Sequence, residues 1–252
     1  MLSQFHIRNK IRWLGLKPIE SNGCTPYTSR EKELFKKYSL GRYADKISHP
    51  TLTETLGILD LLDRLPDIDF LPLSKIYDST LKALDVGAKN WRYLGALSVW
   101  LQLKQKAQIE MTGIEIDAFR LDRNLCSRIG YARTYAELFS NSMLHFSYQA
   151  SDILDFHSQV DFVTWFFPFL NLNPHRGWGL PKKFFRPSEV FDHVETQVLK
   201  PKGVLILANQ GEWEWEIARN GFKKLNLLSF QQIEGSLHAS PHPIFLSVWA
   251  SP

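Results

Sequence analysis

The stretch from Lys82 to Trp91, reading Lys-Ala-Leu-Asp-Val-Gly-Ala-Lys-Asn-Trp, limits what this chain can fold into more than any other. Apolar residues lead to Asp85, Gly87 interrupts the run, and a helical pattern begins near Trp91. The change of period and the glycine read as strand, tight turn and helix. In an open α/β sheet, such a junction sets a ligand at the carboxyl end of the first strand.

The rest of the chain alternates in the same way. Strand one is Lys82–Val86, and the first helix spans about 91–105 with Leu94, Leu97 and Leu101 inward. Strand two, 109–116, ends in Glu115 and Asp117. A long helix is expected over 119–140, with Arg120, Arg123, Arg128 and Arg133 on its outer side. Strand three is 144–149, leading to Ser151 and Asp152. Strand four, 160–167, is nearly all apolar, as a strand buried on both faces should be. A loop of about 17 residues, from Phe169 to Arg186, has the length of a lid or binding loop. Ser188 is placed to cap the next helix, whose inner face is Val190, Phe191, Val194 and Val198. Lys200-Pro201-Lys202-Gly203 turns into strand five, 204–208. After a helix near 212–220, two strands, about 225–232 and 244–250, close the sheet.

Ahead of this lies a mainly helical segment. Residues 1–28 lack clear periodicity and read mostly as loop with one short helix. Ser29 looks like a cap with Glu31 and Glu33 behind it, for a helix ending near Gly41. Leu52, Leu56, Leu59 and Leu62 form one face of a second helix that Pro66 ends. The expected division is therefore a helical appendage over 1–78 and an α/β domain over 79–252. Net charge is +4, unevenly spread: residues 1–50 hold ten Lys or Arg against four Asp or Glu, leaving 20 against 22 elsewhere. Such a basic segment suits a solvated helix face or a phosphate-bearing partner. No stretch reaches the roughly 18 uncharged apolar residues of a membrane span, and the N-terminus has no leader pattern. The expected setting is a reducing cytoplasm with no membrane partner. Cys24 and Cys126 give neither a disulfide framework nor zinc spacing, and no metal site is expected.

The order of blocks resembles the class I S-adenosylmethionine-dependent methyltransferases over about residues 80–252. The carriers are Leu84-Asp85-Val86-Gly87, Gly113-Ile114-Glu115-Ile116-Asp117, Ser151-Asp152, Val160-Asp161-Phe162-Val163, and the run from Val198 through Lys200-Pro201-Lys202-Gly203 to Leu205. Asn220-Gly221-Phe222 is similar to the step before the family's closing hairpin. The resemblance implies a doubly wound, seven-stranded, mostly parallel Rossmann-like sheet with an antiparallel closing strand. It also implies S-adenosylmethionine as cofactor. Glu115 would take the ribose hydroxyls, Asp152 the adenine amine, and Asp85 and Gly87 the methionine end, with Lys89, Ile116, Ile153 and Trp165 completing the cofactor site. The family's turn usually reads Asp-x-Gly-x-Gly-x-Gly; here Lys89 and Trp91 stand at the second and third glycines. No Gly-x-Gly-x-x-Gly is present, so a dinucleotide pyrophosphate cradle has no support.

The acceptor pocket is expected at the end of strand four and beneath the long loop, with Phe167, Asn171, Asn173, Trp178 and Asn209 as contacts. His175 is the candidate general base. Phe166 stands where amino-methyltransferases carry the polar residue that holds an amine, which points away from exocyclic-amine chemistry. His193 is expected to pack on a helix surface, and His238 and His242 lack companion ligands. Three functions remain open from sequence: methyl transfer to a small, partly apolar or aromatic molecule; methyl transfer to RNA through the basic segment; or a non-catalytic binding protein with a degenerate cofactor site.

Overall fold

A computed structural model describes residues 4–16, 18, 24–66, 80–104 and 107–252. The expected boundary at 78/79, and the expected end of the first domain helix at 105, lie outside the described residues. Seven strands form one sheet in the order β3-β2-β1-β4-β5-β7-β6. They are β1 (Leu81–Val86), β2 (Ile109–Ile114), β3 (Leu144–Gln149), β4 (Val160–Phe166), β5 (Leu199–Gln210), β6 (Asn226–Ile233) and β7 (Ile244–Ala250). The first five are mutually parallel, whereas β7 runs antiparallel to both β5 and β6. This is the seven-stranded, mostly parallel sheet with antiparallel closing strands that the resemblance implied.

Alternation along each strand sorts side chains onto two faces. Ala83, Phe162 and Ile206 join a core that holds α3 (His49–Asp63), α4 (Leu94–Lys104) and α5 (Arg128–Phe139). Leu84, Val163 and Leu205 join the opposite core, under α7 (Pro187–His193) and α8 (Glu212–Gly221). Helix α1 (Gln4–Ile11) and α2 (Ser29–Lys37) precede α3, and α6 (Leu172–Gly177) lies in the segment after β4. Parallel strands covered on both faces must be apolar throughout, and six of the seven residues of β4 are buried.

Several boundaries differ from the sequence reading, each for a local reason. Residues 119–127 are not helical. Ser127 accepts from the Gly130 amide and so starts α5 at Arg128, while Leu125 has φ +61 and Leu121 bridges Ser127. Arg128, expected outside, is buried and points to Glu115. Thr28, not Ser29, caps α2, in a reciprocal capping box with Glu31. Arg186 precedes Pro187 at the start of α7, so Ser188 lies inside the first turn rather than at the cap. The segment from Phe169 to Arg186 contains α6 and a short 3-10 turn at Lys182–Phe184. Strand β5 starts at Leu199 and ends at Gln210, beyond 204–208 at both ends, but residues 200–203 form a bulge in it: the register shifts between Val160 and Phe162, and Lys202 has φ +64.

The turn after β1 shows how a chain poor in glycine makes this junction. Trp91 adopts φ +54, is fully buried, and starts α4 three residues later than the apolar spacing suggested. Its indole packs against Gly113 on β2, where a Cβ would stand 2.9 Å from the ring. The pair is a lock: a large ring on one strand junction needs a glycine on the next strand. Trp91→Ala is therefore expected to destabilise the fold by about 3–5 kcal/mol, through lost burial and a cavity that neighbours cannot fill. Urea unfolding followed by circular dichroism measures this. A loss below about 1 kcal/mol would mean that the ring is not structural.

Candidate functional site

A cavity opens at the carboxyl ends of β1, β2, β3 and β4, on the face covered by α7. Its empty space is about 930 Å³, counting the part open to solvent. Val86 and Gly87 form one wall, Ile114, Glu115 and Ile116 a second, and Ser151, Asp152 and Ile153 a third. Trp165 to Leu170 form the far wall. The roof is the segment after β4, contributing His175, Trp178, Phe184, Phe185 and Arg186.

Each wall follows from strand geometry. Gly87 has φ +70, and nothing lies within 4 Å of where its Cβ would be, so the backbone itself faces the cavity. Glu115 follows β2 and is buried. Its Oε2 accepts from the Lys89 amide (3.1 Å), its Oε1 from the Asp117 amide (2.8 Å), and Arg128 approaches Oε1 at 3.4 Å. A carboxylate has about four lone-pair sites, so acceptor capacity remains. Asp152 caps the 3-10 turn Ile153–Asp155 through Oδ1 and pairs with Arg186 through Oδ2. Ile116 and Ile153 give apolar surface on either side of these acids.

Asp85 does not line the cavity. It is fully buried beneath the turn, where Oδ2 accepts from Trp91 Nε1 (2.8 Å) and the Tyr93 hydroxyl (2.7 Å), and Oδ1 from the Thr164 hydroxyl (2.6 Å). It shapes the site from below. Burial pushes its carboxyl up to about 7, despite three donors and nearby Lys89. Lys89 does line the cavity, and burial moves its ammonium below the usual lysine range. Together with Arg120 and Arg128 it surrounds one indole: the three cations lie 5.4, 5.2 and 4.5 Å from the Trp178 ring. Arg120 also donates to the Trp178 carbonyl (2.7 Å), fastening the roof. Arg8 of α1 meets both oxygens of Asp117 at 2.8 and 3.0 Å.

Of the other expected site residues, Phe167, His175 and Trp178 reach the cavity, whereas Asn171, Asn173 and Asn209 do not line it. Asn171 caps α6 by accepting from the Asn173 amide (2.9 Å), and Asn173 is exposed. Asn209 is wholly buried on the Trp165 side of β5, with no hydrogen-bond partner for either amide atom. His175 Nε2 lies 3.0 Å from the Pro181 carbonyl. A carbonyl only accepts, so Nε2 carries the proton and Nδ1 is the free basic atom of the neutral ring. His238 stacks on Phe167 at 4.2 Å, with burial lowering its pKa to about 4. His193 Nε2 lies 2.8 Å from the Phe156 carbonyl, so this helix histidine ties α7 to the turn after Ile153. Arg186, Phe184 and Phe185 escaped the sequence reading. They sit in an irregular segment, and Arg186 meets its partner 34 positions away, which no local pattern announces.

No protein-family profile matches the sequence, and no curated protein matches it. Solved structures do resemble it in fold. A class I S-adenosylmethionine-dependent methyltransferase from Listeria monocytogenes is similar at 14% identity and a TM-score of 0.51, over 88% of this chain and 68% of that one. Magnesium protoporphyrin IX methyltransferase from Synechocystis PCC 6803, solved with S-adenosylmethionine, is similar at 12% identity and a TM-score of 0.49, over 91% of this chain and 100% of that one.

The position of Asp85 makes stability depend on pH in a definite direction. Its folded pKa lies above the ordinary 3.8, so the folded state holds a proton that the unfolded state has lost. That contribution is complete below 3.8 and disappears as pH rises to about 7. Asp85→Asn removes it. Urea unfolding between pH 4 and 7 is expected to show wild type losing stability relative to the variant as pH rises. The steepest possible slope is about 1.4 kcal/mol per pH unit, the limit for one proton. Parallel pH profiles would show that Asp85 stays ionised throughout.

Proposed function

We propose that the chain uses its class I S-adenosylmethionine-dependent methyltransferase fold to bind S-adenosylmethionine in this cavity and transfer its methyl group to a small, partly aromatic or apolar acceptor. The observation behind this reading is convergence. Gly87, Glu115, Ile116, Asp152 and Ile153 come from three different strand ends and meet in one cavity. The donor set suits the cofactor: an acid with spare lone pairs for ribose hydroxyls, two isoleucines for the faces of adenine, and a second acid for its amine. Lys89, Arg120 and Arg128 supply the positive charge that a methionine carboxylate needs.

When bound, the cofactor supplies an activated methyl group on a sulfonium. The chain's own contribution is alignment and exclusion of water. Phe166 to Phe169 and the roof residues Trp178, Phe184 and Phe185 form a largely aromatic enclosure that suits a flat acceptor. His175 Nδ1 is the atom that takes a proton where the acceptor must lose one.

Two features count against the other readings. Trp91, at the family's third glycine, is packed under β2 and does not enter the cavity, so this substitution leaves the cofactor space open. Three of the ten basic residues of 1–50 are paired with acids: Arg8 with Asp117, Arg30 with Asp60 and Asp63, and Lys37 with Asp63, which leaves less of that charge for RNA phosphates.

Calorimetric titration with S-adenosylmethionine and S-adenosylhomocysteine tests the proposal. Wild type is expected to bind with micromolar affinity, about −8 kcal/mol. Glu115→Ala is expected to weaken binding at least roughly tenfold, by removal of hydrogen bonds to a charged group. No binding to folded wild type would establish a spent site instead.

A further inference from the structure

Helix α1 is apolar on two opposite faces. At about 100° per residue, Phe5 and Arg8 share one face, and Ile7 and Ile11 share the other. The inner face is engaged: Phe5 is buried, with its ring 5.1 Å from that of Phe184 in the cavity roof, and Arg8 holds Asp117. The outer face is not. Ile7 and Ile11 are 45% and 66% exposed. The chain then turns at Arg12, with φ +52, and presents Trp13, Leu14 and Leu16, each about half exposed. The Leu16 amide donates to the Leu125 carbonyl (3.0 Å), which brings exposed Leu125 alongside. Six of the 13 large hydrophobic residues exposed among the described ones belong to this one surface.

Apolar surface gathered in this way marks an interaction site, and the charges around it select the partner. Lys10, Arg12 and Arg123 are exposed among these residues. No acid occurs in residues 1–16. Over residues 7–16 aliphatic side chains and a tryptophan are interleaved with cations alone, and Asp122 beside Arg123 is paired with Arg92, which fits the boundary of an anionic bilayer. RNA fits less well, because single strands are held by aromatic stacking and hydrogen bonds, and five of the six apolar residues are aliphatic. We infer that residues 7–16, with Leu125, dock this protein onto an anionic lipid surface. The apolar side chains enter the headgroup–acyl boundary, and Lys10 and Arg12 meet lipid phosphates.

No described helix is long and apolar enough to cross a membrane. Surface docking does not need one, so the expectation of no membrane partner, which came from the absence of a span, does not reach it. Docking would hold the cavity roof one helix diameter, about 10 Å, from the lipid. An apolar acceptor dissolved in the bilayer then lies next to the cavity. That consequence rests on the proposed function; the docking itself does not.

Sedimentation of the full chain with vesicles decides the matter. The protein is expected to pellet with vesicles of mixed phosphatidylglycerol and phosphatidylcholine, and not with phosphatidylcholine alone. The double variants Ile11→Glu/Trp13→Glu and Lys10→Gln/Arg12→Gln change only exposed side chains. Each is expected to keep the wild-type melting temperature and to lose binding by about tenfold or more. Failure of wild type to pellet with anionic vesicles would overturn the inference, as would undiminished binding by folded Ile11→Glu/Trp13→Glu. Tighter binding to single-stranded RNA than to the vesicles at equal ionic strength would overturn it as well.

Discussion

The hydrogen bonds to Asp85 are the constraint on which the rest of the site depends. One buried carboxylate collects an indole from the turn, a phenol from the residue before α4 and a hydroxyl from β4. A bare buried carboxylate would be costly. Three donors offset part of that cost and in doing so fix the relative positions of β1, β4 and α4. Those positions decide where Gly87 and Lys89 stand. The cavity walls are thus set by an acid that never touches the cavity. Gly113 supplies the complementary condition, since only a residue without Cβ leaves room for the indole that Asp85 holds.

The roof is held by a different force. Arg8, Lys89, Arg120 and Arg128 gather on this side of the cavity around Glu115 and Asp117, with Glu54 and Asp85 also acting on Lys89 and Asp122 on Arg120. The Trp178 ring lies within cation–π reach of three of them, and each such contact is worth roughly 0.5–2 kcal/mol. A ring can stabilise several cations but does not neutralise them. Burial already works against the Lys89 charge, with Arg128 adding repulsion. An anionic group arriving here would meet charges arranged before it binds, which is the arrangement that makes electrostatic recognition effective. Arg186 and Asp152 extend the same logic to the far edge, where an ion pair ties the end of the roof to the third wall.

The fold was legible because it rests on period and order. Apolar runs such as 160–166, the Gly87 break and the lysine–proline–lysine–glycine turn are local signals, and the sheet was implied by the resemblance that their order carries. Glu115, Asp152 and Gly87 came from the family resemblance, and the structure brings all three to the cavity because each follows a strand end. What sequence could not show depends on contacts between distant residues. Arg128 looked like an outward residue of a long helix, since nothing local reveals that Ser127 starts a new helix and turns Arg128 toward Glu115. Asn209 looked available at a strand end, yet the pairing of β5 with β7 buries it. Arg8 and Asp117 are 109 positions apart, and only the folded chain brings them together.

The glycine-poor turn then has a physical reading. Three glycines in such a turn let the backbone approach a ligand and permit left-handed conformations. Here all three positions keep left-handed φ values, +70 at Gly87, +51 at Lys89 and +54 at Trp91. The path of the chain is therefore retained, and two of the three residues carry side chains despite the strain. These side chains go in opposite directions. Trp91 fills space beneath the sheet, while Lys89 reaches into the cavity. The one glycine retained is the one whose Cβ direction is open to the cavity. Of the three positions, Gly87 leaves its backbone open to the cavity, and the other two use side chains for packing and charge.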